Sequence, residues 1–238
     1  MKIDLSAEPV SACGSWSEST DKSPLTMVSS LTIPCGAHAG DPAHMLAACA
    51  DAAERSIPIG ALVGYRDLAG RGQRFIDYAA DDLTAEVLYQ IGGLDAIALT
   101  EGTRVSFLRP AGALMEAVQT DRHHAWAIVN AILDYDSALV VVGERDSMLL
   151  QTATRHGLTT AAEFTPTRRQ PGGRRAPSSL DPSQVADEAV RAAYSGDYAT
   201  IRLDARDVHE RACASAVHTA LAAEGFAIRT FVRATSAA

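Results

Sequence analysis

Short apolar runs alternate with amphipathic stretches at least seven times along this chain, and that alternation limits the fold more than any other feature. The runs at 2–5, 28–33, 57–63, 104–108, 138–142, 158–164, 199–203 and 226–232 read as strands. The stretches at 42–55, 82–100, 121–133, 146–156, 183–194 and 208–224 carry apolar residues at helical spacing. The clearest is 82–100, where Leu83, Val87, Ile91, Leu94 and Ala98 share one face. A strand followed by a helix and then another strand implies parallel pairing with helical crossovers. Seven or eight such units in 238 residues predict a single domain over 1–238, an α/β fold in the form of an irregular (β/α) barrel. A doubly wound open sheet is the alternative. No sequence repeat is visible.

In either architecture, loops at the C-terminal ends of the strands build the ligand site. The stretch Thr32–Pro42 is such a loop: an apolar run stops, two glycines and His38 follow, and Asp41-Pro42 has the chemistry of a helix start. The barrel reading gathers the other strand ends around it. Asp4, Ser6 and Glu8 follow the first strand, and Tyr65 and Asp67 the third. Arg109 follows the fourth, Glu144 the fifth, Glu163 the sixth, and Asp204 and Arg206 the seventh. A histidine among carboxylates and arginines suits general acid–base chemistry. The plainer reading makes each of these a solvated loop residue.

Other chemistries lack their signatures. There is no His-x-x-x-His, and adjacent His123 and His124 diverge by about 100° on a helix, which reads as a surface pair. No Gly-x-Ser-x-Gly is present, and neither Gly70-Arg71-Gly72 nor Gly172-Gly173 is a phosphate loop. Cys13, Cys35, Cys49 and Cys213 are scattered and read as reduced thiols. A formal charge of −8 argues against nucleic acid and anionic membranes as partners. With no bilayer-length apolar run and a strand-like, acidic N-terminus, a cytoplasmic protein acting on a small molecule is expected. Self-association into a homo-oligomer is compatible with this composition. The stretch 165–182 is rich in Pro and Gly and carries four arginines; it reads as a loop, either solvated or a lid over an anionic substrate.

The stretch Cys35-Gly36-Ala37-His38-Ala39-Gly40-Asp41-Pro42 resembles the Cys-Gly-x-His-x-Gly-Asp-Pro signature of the LamB/YcsF family, whose members are the A subunits of 5-oxoprolinase. Similar support comes from Lys2-Ile3-Asp4-Leu5, from Ile59-Gly60-Ala61 with Gly64-Tyr65 and Asp67-Leu68, and from Leu88-Tyr89-Gln90-Ile91-Gly92 with Leu94-Asp95-Ala96. Pro110 with Gly112-Ala113-Leu114 adds to it. The similarity is strong from Met1 to about Leu114 and collinear to Glu224.

The resemblance implies a deacetylase-like barrel and ATP-dependent opening of the lactam 5-oxoproline to glutamate, carried out with partner subunits B and C. ATP would activate the amide. It implies a catalytic set of His38, Asp41, Asp4, Glu8 and Arg109, and a substrate-binding set of Gly36, Gly40, Tyr65 and Gly112. The sequence departs from the family pattern at polar positions. Ser6 stands for an Asn, Glu8 for an Asp, Arg109 for a Lys, and Leu62 and Ala111 each for a His. The family's Asp-Arg-x-Tyr has no clear counterpart in 164–170. Leucine and alanine neither transfer protons nor bind metals, so no transition-metal site is expected. Two alternatives follow: a relative without catalysis that acts in binding or assembly, or a carbohydrate deacetylase-like hydrolase, which the missing histidine pair opposes.

Overall fold

The computed structural model describes residues 1–8, 26–166, 181–204 and 208–232. Strands β1 (Lys2–Ala7), β2 (Ser30–Pro34), β3 (Ile59–Val63), β4 (Val105–Pro110), β5 (Val140–Glu144), β6 (Thr160–Phe164) and β7 (Thr200–Leu203) pair in sequence order, and β7 returns to β1. Every pairing is parallel, with Asp4 opposite Thr200 on one side of β1 and Ser6 opposite Ser30 on the other. The sheet is therefore a closed seven-stranded barrel, which leaves no exposed edge in its wall.

A two-residue strand, β8 (Ala227–Ile228), pairs with Lys2 and Ile3. The N–H groups of Ala227 and Arg229 donate to the Met1 and Ile3 carbonyls, while Ser29 N–H takes the carbonyl of Leu5. Odd residues of β1 thus offer their carbonyls to one side. There β8 occupies the N-terminal half of the edge and the start of β2 the C-terminal half. The expected last strand, 226–232, is shortened to these two residues. Its remainder instead puts Phe231 and Val232 against Phe107, Val140, Val142 and Ala161. These alternate positions on β4, β5 and β6 face inward, so the apolar cluster plugs the bottom of the barrel.

Helices α1 (Pro42–Arg55), α2 (Ala80–Thr100), α3 (Gly112–Ala117), α4 (Arg122–Tyr135), α5 (Met148–Arg155), α6 (Pro182–Ser195) and α7 (Val208–Ala223) lie between the strands. Their apolar faces and the outward residues of the strands, among them Leu5, Ile33, Val63, Leu108 and Ile201, form the main core. The helix ends follow their sequences. Asp41 caps α1 by accepting from His44 N–H, with Pro42 in the first turn. Asp181 and Gln184 form a capping box on α6, which stops at Gly196 with φ 72°. The short helix α3 was not expected from the sequence. It is a single turn or so begun at Gly112 and lacks an amphipathic period long enough to read. Within the expected loop 165–182, the arginines at 168, 169, 174 and 175 lie outside the described residues, as do 9–25 and Arg206. Among the described residues no helix is long and apolar enough to cross a membrane.

Candidate active site

The loop between β2 and α1 brings His38 to the C-terminal mouth of the barrel, where it is 6% exposed. Two backbone segments close on it. A methyl group on Gly64, just beyond β3, would lie 2.6 Å from His38 Nδ1, and one on Gly72 would lie 2.9 Å from its Cβ. Both positions must be glycine for the ring to fit. Gln90 of α2 fixes Gly64 from behind: its amide oxygen accepts from Gly64 N–H and its amide nitrogen donates to Gly64 O, both at 2.9 Å. Asp67 clasps the loop carrying Gly72. Its carboxylate accepts from the N–H groups of Gly70 and Arg74 and from the Arg74 guanidinium, and its own N–H donates to Ala37 O.

His38 Nδ1 has no hydrogen-bond partner among the described residues. Burial lowers the imidazole pKa below its usual 6.5. The charge of Glu8 pushes it up, and those of Arg202 and Arg109 push it down. At neutral pH the ring is therefore neutral and able to accept a proton.

Two buried guanidiniums share the mouth. Arg109 of β4 makes a fork with Glu163 of β6, Nε to Oε2 at 2.6 Å and Nη2 to Oε1 at 2.5 Å, and Nη1 donates to Pro110 O. Both partners are almost fully buried. Arg202 of β7 donates to Glu8 Oε2 at 3.0 Å and Thr32 Oγ1 at 3.2 Å, with Asp204 at 3.9 Å. Burial opposes its charge, but Asp204, Glu8 and Glu163 outweigh burial and raise its pKa.

Deeper in the barrel, Asp4 accepts from the hydroxyls of Ser29 (2.7 Å), Ser30 (2.8 Å) and Thr200 (2.5 Å). Burial is the largest influence on its carboxyl and, against these three hydrogen bonds, pushes it up to about 6. Ser6 lies between Asp4 and Glu8 on the inward face of β1, and its buried hydroxyl has no partner among the described residues.

Of the residues expected from the sequence, His38, Glu8 and Arg109 meet at the mouth, with Asp4 beneath them. The others are placed elsewhere. Asp41 is the α1 cap, and its carboxylate also lies 2.8 Å from His44 Nδ1. Tyr65 is no wall of the mouth. Its ring is buried against Tyr78 and Phe75, and its hydroxyl meets His124 Nδ1 at 2.8 Å. His124 itself, expected on the surface, is buried there; the divergence of adjacent helical residues left only His123 exposed. The glycines expected to admit substrate admit the chain's own backbone. A Cβ on Gly40 would strike Pro34 O at 2.5 Å, and one on Gly112 would strike Gly72 O at 2.2 Å. Gly36 forms the turn, its N–H donating to Ala39 O. Glu144 is exposed.

The sequence reading missed Arg202 and Gln90. Each carried a signal: a charge inside the apolar run of β7, and an amide on the buried stripe of α2. Among the described residues, no three His, Cys, Asp or Glu side chains are grouped to hold a metal ion.

The LamB/YcsF family profile matches residues 3–236. The chain belongs to the LamB/YcsF family. The 5-oxoprolinase A subunit from Mycobacterium leprae (strain TN) is 44% identical over 201 residues, 82% of this chain and 80% of the relative. That from Mycobacterium avium (strain 104) is 39% identical over 248 residues and covers 96% and 98% of the two chains. Among solved structures, a lactam utilization protein from Thermus thermophilus superposes with a TM-score of 0.86 at 30% identity, covering 97% of this chain and all of the other. The catalytic domain of a peptidoglycan N-acetylglucosamine deacetylase from Eubacterium rectale, at 10% identity and TM-score 0.55, shares the fold alone. The deacetylase-like barrel expected from the sequence is thus the fold observed, with β8 as a short eighth strand outside the seven that close the wall.

Proposed function

We propose that this LamB/YcsF member is the A subunit of a 5-oxoprolinase-like hydrolase, opening the cyclic amide of a small lactam together with partner subunits B and C. The observation that carries the reading is His38, a buried imidazole held neutral with one ring nitrogen unpartnered, at a mouth shared with Glu8, Arg109 and Arg202. The names of its relatives supply the reaction class.

Lactam opening adds water to the carbonyl carbon and breaks the C–N bond, so one proton must leave the water and one must reach the ring nitrogen. A neutral imidazole can take the first and return it as the second. Glu8, steadied by Arg202, favours the imidazolium formed in between. Asp41 and Tyr65 take no part in these steps.

The family resemblance implies ATP. Among the described residues of the mouth, Arg109 and Arg202 are already paired, and neither is left to bind a polyphosphate. No step here is routed through ATP, and its site is assigned to the partner subunits. The protein is expected to act in the cytoplasm and to carry no stoichiometric transition metal.

The test is ATP-dependent 5-oxoproline turnover by the purified chain with and without subunits B and C. Turnover is expected only with the partners, and His38→Ala should lower it by roughly two to four orders of magnitude. Undiminished turnover by His38→Ala would remove His38 from the mechanism. Partner binding by wild type without any turnover would favour the assembly role.

A further inference from the structure

Both glycines that close on His38 belong to one connection, residues 64–79 between β3 and α2. It contains turns but no helix or strand, and Arg66, Leu68, Arg71, Gln73 and Arg74 along it are exposed. Gly72, in its middle, is nonetheless buried against the His38 side chain. Long connections without helix or strand are ordinarily mobile, and one that moved would carry Gly72 off the imidazole. Asp67 orders the middle of the connection, as described above. Something else must fix its two ends.

The two ends meet on one side chain. Tyr65 is the second residue after β3 and Tyr78 the second before α2, and their rings stack with centroids 6.0 Å apart. His124 of α4 reaches both: its Nδ1 lies 2.8 Å from the Tyr65 hydroxyl and its Nε2 lies 3.3 Å from Tyr78 O. A carbonyl oxygen only accepts, so Nε2 of the neutral ring carries the hydrogen and Nδ1 accepts from the Tyr65 hydroxyl. Burial pushes the Tyr65 phenol up, so that hydrogen is in place at neutral pH. Phe75 packs on the Tyr65 and His124 rings at 5.8 and 5.5 Å, which gathers a third point of the connection to the same place. The support is rigid, because α4 is tied to α2 by Thr84 Oγ1 donating to Ala127 O at 3.2 Å.

We propose that His124 is a positioning residue for His38: it staples the two ends of the β3–α2 connection and so keeps Gly64 and Gly72 closed on the His38 imidazole. The proposal rests on His38 being the proton carrier of the lactam-opening reading, and it adds the residue that maintains the enclosure. Releasing the ends would admit water to the ring, and an imidazole that regains water regains its ordinary proton affinity. The staple also gives a role to a buried tyrosine–histidine pair that no proton-transfer step uses.

Two measurements on the full-length protein test this. The first is nitrogen-15 NMR titration of the His38 imidazole, its signals assigned by their loss in His38→Ala. The second is 5-oxoproline turnover with subunits B and C and ATP. His124→Phe keeps the ring volume and removes both hydrogen bonds, while His124→Gln keeps an amide nitrogen for Tyr78 O. In His124→Phe the His38 midpoint is expected to rise toward 6.5 by about half a pH unit or more. Its kcat should fall roughly ten- to a hundredfold with KM little changed, as misplacement of a reacting group does. His124→Gln should move both readouts less. Circular dichroism at the assay temperature shows which variants are folded; should His124→Phe not fold, Tyr65→Phe, which removes a single oxygen, is read in the same way. An unshifted His38 midpoint in the folded variant would overturn the staple, and a shifted midpoint with unchanged kcat would overturn its positioning role. Absence of turnover by the wild type would overturn the lactam reading, and the staple would then stand or fall on the titration.

Discussion

The two ends of one barrel interior are filled by opposite means. At the bottom, Phe107, Val140, Val142, Ala161 and Phe231 pack as hydrocarbon, with the Phe107 and Phe231 rings edge to face at 5.2 Å. At the mouth, the same strands two residues further on contribute Arg109 and Glu163, and β1, β2 and β7 add Glu8, Thr32 and Arg202. The bottom is held by contacts that tolerate any similar volume. The mouth is held by paired charges, each of which is costly without its partner. Stability can therefore reside in the first while specificity and chemistry reside in the second.

The largest effect should come from breaking one member at each end. Phe107→Ala is expected to cost about 3–5 kcal/mol, and Glu163→Ala, which strands Arg109, a similar roughly 3–5 kcal/mol. The double variant Arg109→Met with Glu163→Leu should recover most of the second loss, whereas no partner substitution rescues the first. Urea unfolding of the four proteins measures this. A double variant as unstable as Glu163→Ala would mean that the mouth is packed like the bottom.

A smaller effect concerns pH. Asp4 moves from 3.8 when unfolded to about 6 when folded, so between these values the folded state binds more protons than the unfolded one. Its contribution makes stability fall as pH rises from about 4 to 6, by about 3 kcal/mol at most for a shift of this size. His38 acts in the opposite sense, since a lowered folded pKa costs stability as pH falls below 6.5. Subtracting one protein from another isolates Asp4: Asp4→Asn should gain on wild type steadily from pH 4 to pH 6 and hold that gain above. A constant difference across that range would show that Asp4 stays ionised in the folded protein.

The smallest effect separates the mouth from its frame. Asp41→Ala should cost about 1 kcal/mol through the lost α1 cap, and Asp41→Ser should restore most of it. Turnover with subunits B and C, measured under conditions where each variant is folded, should be unchanged in both. A loss of turnover in the well-capped serine variant would return Asp41 to the reaction.

His38 was legible because the abrupt end of an apolar run, the following glycines and Asp41-Pro42 are all local signals. Asp41 was legible as a cap for the same reason; its place in the catalytic set was what the family resemblance implied, and in the structure it caps α1 and lies beside His44. Tyr65 and His124 illustrate the reverse: 59 residues apart, they satisfy each other in a buried pair that no local pattern could announce. The substitution positions Leu62 and Ala111 were visible as departures from a family pattern. That they adjoin one another required the β3–β4 register.

By itself the sequence determined the alternation of strands and helices, the parallel barrel that follows from it, most helix ends, and the loop that carries His38. Local propensity, hydrophobic period and capping chemistry are properties of neighbouring residues, and they survive being read one segment at a time. Only the tertiary structure decided which charges meet. Arg109 joins Glu163 across 54 positions and Arg202 joins Glu8 across 194, because barrel closure brings the first strand beside the last long one. Which of these charges meet is a property of that closure.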